Sequence, residues 1–449
     1  MAALTAAAVE AGRRVGPRGQ IDAAAVRRDA GRELRRRAPR GSHAHWEAPP
    51  DRPDPVDLLS ASNDGRVPEV AAIRIGRMAA SPSAFLSGSA GQIAFDLQDS
   101  PMTGLTSWIC GDAQLSNFGV CSSPEGELVC DISDFDESIV GPWEWDVKRL
   151  AASIVLAGRE RGFRDADCRD AVETAVGSYR RRLGEMAARP LIDAHSARWQ
   201  DGDVVGAALR HGSVPPRPTV RRENGGWHFD ESPPLLVRLG DEHTEKVLGG
   251  LDRYVSTLRS DLRRLVRGYA LRDVALEVLG VGTAGTRNVL GLMVGNGDSD
   301  VLFLQITEAR ASQLRPYLAS QPRRHEGRRV VDAQHAMQAL PDPFLGWTAI
   351  DGREYYVRQL KDIKRSAAVG ELQRLRDLRD YGHLAGGTLG MAHARCFDAT
   401  TLTAYLGSGA RFAAAMAEFG VRYADQTERD HSELVRAIKR GRVEAELGI

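Results

Sequence analysis

The segment that begins GDAQLSNFG and ends DISDFDE, residues 111–137, is the part of the sequence on which the fold assignment rests. Asp112 and Asn117 stand five residues apart on a predicted loop after a short strand, and Asp134 and Asp136 follow a second short strand. Carboxylate and carboxamide oxygens turned toward one point suit Mg²⁺ and leave room for phosphate oxygens. The alternative is that these side chains only cap turns and helices. The ordered set favours a phosphoryl-transfer site.

A glycine-rich run lies far downstream, with Gly280, Gly282 and Gly285 in the spacing GxGxxG. A dinucleotide-binding fold would place this run between a strand and a helix. Here ALEVL precedes it and NVLGLMV follows it, so apolar, strand-like segments flank it on both sides. This order predicts a strand–turn–strand loop that covers phosphates, and the alternative is a plain glycine-rich hairpin.

The pattern of helices and strands predicts an α+β fold divided into four segments. An Arg- and Ala-rich, partly disordered segment comes first. A helical lobe with the catalytic loop and metal site follows. Next comes a glycine-rich β lobe of about five strands with a helix between them near residues 311–320, and then helices that pack back on the helical lobe. Their predicted bounds are 1–50, 51–270, 271–365 and 366–449.

Composition excludes several classes of protein. The 449 residues hold 60 basic and 60 acidic side chains, and this neutral balance argues against a general nucleic-acid binder. The absence of a long apolar run predicts no membrane span, and no apolar signal-peptide core follows the N-terminal charges. Five scattered cysteines without a CxxC pair indicate neither a disulfide framework nor a zinc site, so we expect a cytoplasmic protein.

Long motifs carry a resemblance to a known family: GDAQLSN, SDFDESIVGPWEWDVKRLAAS, SHAHWEAPPDRPDPV, GVGTAGTR, FLGWT, YYVRQLKDIK and YADQTERDH. They resemble the bacterial family catalogued as domain of unknown function 2252, from about residue 30 onward. That family looks like a distant branch of the protein-kinase-like superfamily, near the aminoglycoside and choline phosphotransferases. The resemblance implies a two-lobed kinase-like fold. Because the catalytic loop precedes the glycine-rich lobe, the fold would be circularly permuted.

The resemblance also implies roles for single residues. Asp112 resembles the catalytic base, and Asn117 and Asp134 resemble the metal ligands, joined by Asp136. Asp146, at the start of a predicted helix, resembles the buried aspartate that braces the catalytic loop. The three glycines would cover the phosphates of ATP with backbone N–H groups.

Four positions depart from the family pattern. Gln114 stands where the family has His, Ser133 where it has Asn, and Ser87 where it has Arg. Thr307 stands where the third strand, LQxKEA in the family, carries the phosphate-binding lysine, and a threonine supplies no positive charge. The candidates for a substitute cation are Lys361, Lys364, Arg287 and Arg310.

The functional expectation is an ATP- and Mg²⁺-dependent phosphotransferase that acts on a small-molecule hydroxyl or amine. Two alternatives stay open. The first is a catalytically impaired, nucleotide-binding or structural scaffold that regulates a partner, because of Thr307, Gln114 and Ser133. The second is a nucleotidyl transferase on the same fold.

Overall fold

The computed structural model describes residues 23–122, 127–199, 212–213, 218–223, 226–277, 286–297, 299–360, 364–367, 371–407 and 410–448. Its helices, numbered α1 to α14 in chain order, are Ala23–Arg37, Pro55–Ser62, Pro68–Met78, Pro82–Gly88, Ala90–Leu97, Trp143–Glu160, Asp165–Ala187, Leu191–Ser196, Asp241–Thr257, Ser260–Val266, Glu326–Met337, Leu375–Cys396, Ala399–Leu406 and Arg411–Lys439. Its strands, β1 to β14, are Thr106–Ile109, Phe118–Ser122, Leu128–Ile132, Ile139–Pro142, Gly212–Ser213, Val220–Glu223, Gly226–Phe229, Leu236–Arg238, Ala270–Glu277, Asn288–Val294, Val301–Glu308, Gly346–Ile350, Arg353–Gln359 and Lys364–Ala367.

The mixture of helices and strands confirms the α+β class. The largest sheet is antiparallel, with the strand order β12-β13-β11-β10-β9-β8. Its central strands β10 and β11 are buried along nearly their whole length, because both faces of the sheet are covered. Helices α9 and α10 pack on one face through Leu251, Tyr254 and Val266. A smaller apolar cluster that includes Phe229 and Phe303 covers part of the other face.

This sheet extends beyond the segment that the sequence assigns to it. Strand β8 pairs with β9, and helices α9 and α10 share the sheet's apolar core, although all three lie before residue 271. The helix expected near residues 311–320 is also displaced. Only a 3₁₀ turn forms there, at Arg315–Tyr317, and the α-helix is α11. Helix α11 begins where the His325 side chain accepts a hydrogen bond from the Arg328 backbone N–H, a regular N-cap.

A second core joins the long helices α6, α7, α12 and α14 to the short strands β1 to β4. Helix α6 has apolar residues at helical spacing, Val147, Leu150, Ala151 and Ile154, but its polar residues are buried as well. The reason is that α7, α12, α14 and the strands surround α6, so it has no solvent-facing side over most of its length. Among the described helices, none is long and apolar enough to cross a membrane.

Candidate active site

The loop between β1 and β2 carries the first two predicted site residues. Gly111 adopts a positive φ of 76°, and a Cβ there would overlap the carbonyl oxygen of Glu137, so this turn requires glycine. After the turn, the chain presents Asp112 and then closes a short 3₁₀ turn at Leu115–Asn117. Asp112 and Asn117 therefore lie on the same small loop, and both are buried.

Both carboxylate oxygens of Asp112 accept hydrogen bonds. Oδ1 accepts from Arg149 Nε at 2.6 Å, and Oδ2 accepts from Gln114 Nε2 at 2.9 Å and Asn117 Nδ2 at 3.0 Å. Burial raises the pKa of Asp112 to about 6, because the opposing effect of Arg149 is only partial and Asp134 adds negative charge nearby. A carboxylate with a pKa near neutrality is suited to general-base chemistry.

Asp146 fixes the start of this loop from helix α6. Its carboxylate accepts hydrogen bonds from the backbone N–H groups of Cys110 at 2.9 Å and Gly111 at 3.0 Å. It also meets Nε2 of the buried His393 at 3.2 Å, and the other ring nitrogen of His393 meets the Tyr179 hydroxyl. Asp146 is thus a buried positioning residue that fixes the backbone one and two positions before Asp112.

The second predicted pair lies on residues 133–138, the acidic loop. The backbone N–H of Ser133 donates to the carbonyl oxygen of Asn117 at 2.9 Å, which ties this loop to the first. The carboxylate of Asp134 accepts from the Asp136 backbone N–H at 3.1 Å. Burial and the neighbouring Asp134 raise the pKa of Asp136 to about 7. Asp134 and Asp136 are therefore held on a loop that is tied to Asn117.

The arrangement fits a hard cation. Oδ1 of Asp136 is buried and has no hydrogen-bond partner, and such an orphaned oxygen is available as a ligand. The amide nitrogen of Asn117 is engaged by Asp112, which leaves its side-chain oxygen for a cation. The protein contributes few ligands, however. Within the described ranges, no group of three or more His, Cys, Asp or Glu side chains could hold a metal ion.

Arg329 of α11 links the acidic loop to the sheet. One of its terminal nitrogens donates to the carbonyl oxygens of Asp136 at 2.8 Å and Arg310 at 2.9 Å. The other donates to the carbonyl oxygen of Ser138, and Nε pairs with Glu326 at 2.7 Å. The acidic loop is therefore held against the end of β11.

The remaining predicted cofactor residues have separate outcomes. Gly280, Gly282, Gly285 and Lys361 lie outside the described residues. Thr307 is buried on β11 and donates to the side-chain oxygen of Asn288 at 2.6 Å.

The substitute cations proposed from sequence are partly engaged elsewhere. Arg287 meets Glu308 at 3.4 Å, and Arg310 donates to the carbonyl oxygens of Ser62 and Asp64. Lys364 lies on β14, the strand that pairs with β2.

Two departures from the family pattern contact each other. The hydroxyl of Ser87, on α4, donates to the side-chain oxygen of Gln114. This contact orients the Gln114 amide so that its nitrogen points at Asp112. Ser87 and Gln114 therefore form a linked, neutral pair beside the candidate base.

Sequence reasoning missed the arginines that surround the site: Arg149, Arg329 and Arg358. Arg149 was visible in the motif WEWDVKRL, and its position one helical turn after Asp146 places it on the same side of α6. Arg358 lies in the motif YYVRQLKDIK, three residues before Lys361, whereas Arg329 had no comparable local signal. A surface cavity of about 480 Å³ lies elsewhere, against α7 and α13, and contains none of these residues.

Comparison with protein-family profiles finds a match over residues 66–437 to an uncharacterized family conserved in bacteria, DUF2252. The chain belongs to this family. The DUF2252 match spans both cores and contains Asp112, Asn117, Asp134 and Asp136. No curated protein and no solved structure matches the chain.

Proposed function

We propose that this DUF2252 protein is an ATP- and Mg²⁺-dependent phosphotransferase that acts on a hydroxyl or amine of a small molecule. The observation that carries the proposal is the position of Asn117. Its amide nitrogen bonds to Asp112, and its backbone oxygen accepts from Ser133, the residue before Asp134. A base and two candidate metal ligands thus meet through one asparagine, as phosphoryl transfer requires.

The sheet supports a kinase-like, circularly permuted fold. Strands β9, β10 and β11 follow one another, helix α11 comes next, and β12 and β13 complete the sheet. Protein kinases carry their phosphate-binding lysine on the third strand and a pairing helix after it, which correspond here to Thr307 and α11. Because the candidate catalytic loop lies before this sheet in the chain, we infer that the order of the lobes is permuted.

The proposed mechanism uses groups that are already positioned. Asp112 accepts the proton of the acceptor hydroxyl as that oxygen forms a bond to the γ-phosphorus of ATP, and ADP leaves with the electrons of the broken P–O bond. Arg149 holds the carboxylate in place through Oδ1. Asn117, Asp134 and Asp136 would hold Mg²⁺, which neutralises phosphate charge when bound.

One observation favours a second candidate. Thr307 is neutral, and its hydroxyl donates a hydrogen bond to Asn288. The position of the expected lysine therefore contributes no charge to a phosphate. The alternative is therefore a scaffold that binds a nucleotide without turnover. A third candidate is a nucleotidyl transferase, which would transfer the nucleotide instead of the phosphate to the same acceptor.

Binding and turnover separate these candidates. We expect ATP with Mg²⁺ to raise the melting temperature of the protein, since ligand at 100 times its Kd stabilises by about 2.7 kcal/mol. Asp112→Asn should keep this shift and lose ADP formation with an acceptor pool. Asp134→Asn should lose the Mg²⁺-dependent part of the shift.

Asp252→Asn, an exposed carboxylate on α9, is the matched control and should behave as wild type. ATP turnover that survives in both site variants contradicts the proposal. A shift in wild type without turnover favours the scaffold. Mass spectrometry of the product separates a gained phosphate from a gained nucleotide.

A further inference from the structure

Polar side chains form a row across the sheet beside the acidic loop. Asn288, Thr307 and Tyr356 stand opposite one another on β10, β11 and β13. Tyr356 lies near enough to interact electrostatically with the carboxyl of Asp136, so this row faces the candidate metal ligands. The row itself carries no positive charge, although an ATP polyphosphate beside Asp136 would require one.

Arg358 supplies a cation next to this row. It lies opposite Gln305 in the β11–β13 pairing, and its Nε donates to the Gln305 side-chain oxygen at 2.8 Å. A terminal nitrogen donates to the carbonyl oxygen of Ser133 at 3.3 Å, and the guanidinium lies 5.6 Å from the centre of the Tyr356 ring. The guanidinium therefore spans from the sheet to the residue before Asp134.

No carboxylate of the described residues lies within ion-pair distance of Arg358, although Asp136 and Asp134 lie near enough to stabilise its charge. Among the described residues it forms no ion pair, and its second terminal nitrogen makes no hydrogen bond. The side chain is half-buried, so it is neither locked in the core nor free in solvent. A planar guanidinium that is oriented on one side and open on the other is suited to bind phosphate oxygens.

Two other arginines of the site are paired with carboxylates. Arg149 is paired with Asp112 and donates to the carbonyl oxygen of Leu86 at 2.8 Å. Its remaining terminal nitrogen has no partner but is buried, on a side chain that is only 1% exposed. Arg329 is divided among Glu326 and the carbonyl oxygens of the acidic loop. Arg358 differs from both, because within the described residues it has no ion pair and its open donor lies on a half-buried side chain.

We propose that Arg358 binds the polyphosphate of ATP and takes the place of the strand lysine that Thr307 replaces. This inference rests on the proposed function, because it requires a nucleotide at the acidic loop. Arg358 reaches the same boundary from β13, the strand that neighbours β11. Loss of lysine on one strand is then compensated by an arginine on the next.

Isothermal titration calorimetry tests the inference. The wild type, Arg358→Gln and Arg358→Lys are each titrated with ATP plus Mg²⁺ and, separately, with adenosine. Arg358→Gln should weaken ATP binding by about tenfold or more and leave adenosine binding unchanged, because only ATP has phosphates to lose a charged contact. Arg358→Lys should lose less ATP affinity than Arg358→Gln. Thr307→Lys added to Arg358→Gln should restore part of the ATP affinity.

Arg353→Gln is the matched control, because Arg353 lies on the same strand but pairs with Glu308 at 2.9 Å. It should bind ATP as wild type does. Wild-type ATP affinity in Arg358→Gln overturns the inference, as does an equal loss of adenosine and ATP affinity. If wild type binds neither ligand, the proposed function itself fails. If Arg358→Gln does not fold, the ATP affinities of Arg358→Lys and wild type are compared instead. Equal affinities would then overturn the inference.

Discussion

His43 is buried in the helical core with one ring nitrogen unsatisfied. Its Nε2 lies 2.7 Å from the Tyr405 hydroxyl, and that hydroxyl donates its single hydrogen to the carbonyl oxygen of Ala38 at 2.8 Å. Nε2 must therefore carry the proton and donate to Tyr405. Nδ1 is then a bare acceptor, and it has no partner. Burial, with a smaller effect of Lys148, lowers the pKa of His43 to about 3.

This geometry predicts a loss of stability in acid. Between pH 6.5 and pH 3 the unfolded chain protonates His43 and the folded chain does not, so the free energy of unfolding falls as the pH falls. From pH 7 to pH 5 this residue should cost roughly 2 kcal/mol. Urea unfolding should show that His43→Gln loses less stability over this interval than wild type. An unchanged pH dependence would contradict the assignment, and exposed His243→Gln is the control.

Helices α7 and α12 approach closely because α12 carries glycines at the contact. A Cβ on Gly386 would overlap the carbonyl oxygen of Ala175, and a Cβ on Gly390 would lie 2.6 Å from the carbonyl oxygen of Tyr179. A Cβ on Gly387 would overlap the ring of Trp199. The glycines of the run LAGGTLG therefore lower the helix propensity of α12 but allow the two long helices to pack closely.

Two alanine substitutions should have opposite effects on this pair of helices. Gly386→Ala should lower the free energy of unfolding by about 2 kcal/mol or more, because backbone must move to admit the methyl group. Gly177→Ala, on α7 with open space around it, should raise it by roughly 0.5–1 kcal/mol through helix propensity alone. Denaturant unfolding of both variants measures the difference, and equal effects would refute close packing as the reason for Gly386.

At the scale of the whole molecule, one buried arginine connects distant parts of the chain. Arg52 pairs with Asp96 at 2.7 Å and with Asp430 at 2.6 Å, and all three side chains are buried. Tyr423 donates to Asp96, and Gln426 donates to Asp430. The motif YADQTERDH, whose role the sequence did not reveal, thus joins α14 to the N-terminal region.

Removal of this cation should destabilise the whole fold. Arg52→Met leaves two buried carboxylates without a counter-charge, and breaking a buried network of this kind costs about 3–5 kcal/mol. The exposed Arg442 pairs with Asp54 and Asp57, and Arg442→Met should leave the thermal midpoint near that of wild type. Similar midpoints for the two variants in calorimetry would show that the Arg52 network is not needed for stability.

The local pattern of the sequence predicted a good part of the molecule. The α+β class and the family followed from apolar periodicity and long motifs. Asp112 and Asn117 could be assigned to one loop because they are five residues apart. The helix near residue 311 was misplaced, since the N-cap at His325 depends on a side chain that no periodicity marks.

The surroundings of the site required long-range folding. Arg149 reaches Asp112 across 37 residues, and Arg358 reaches Ser133 across 225. Spacing along the chain determines short loops and helix faces, so Asp112, Asn117 and Asp134 were accessible from sequence. Which arginine offsets a buried acid depends instead on which strands and helices pack together. For that reason only three-dimensional packing brings Arg358 of β13 to the acidic loop, next to the neutral Thr307 of β11.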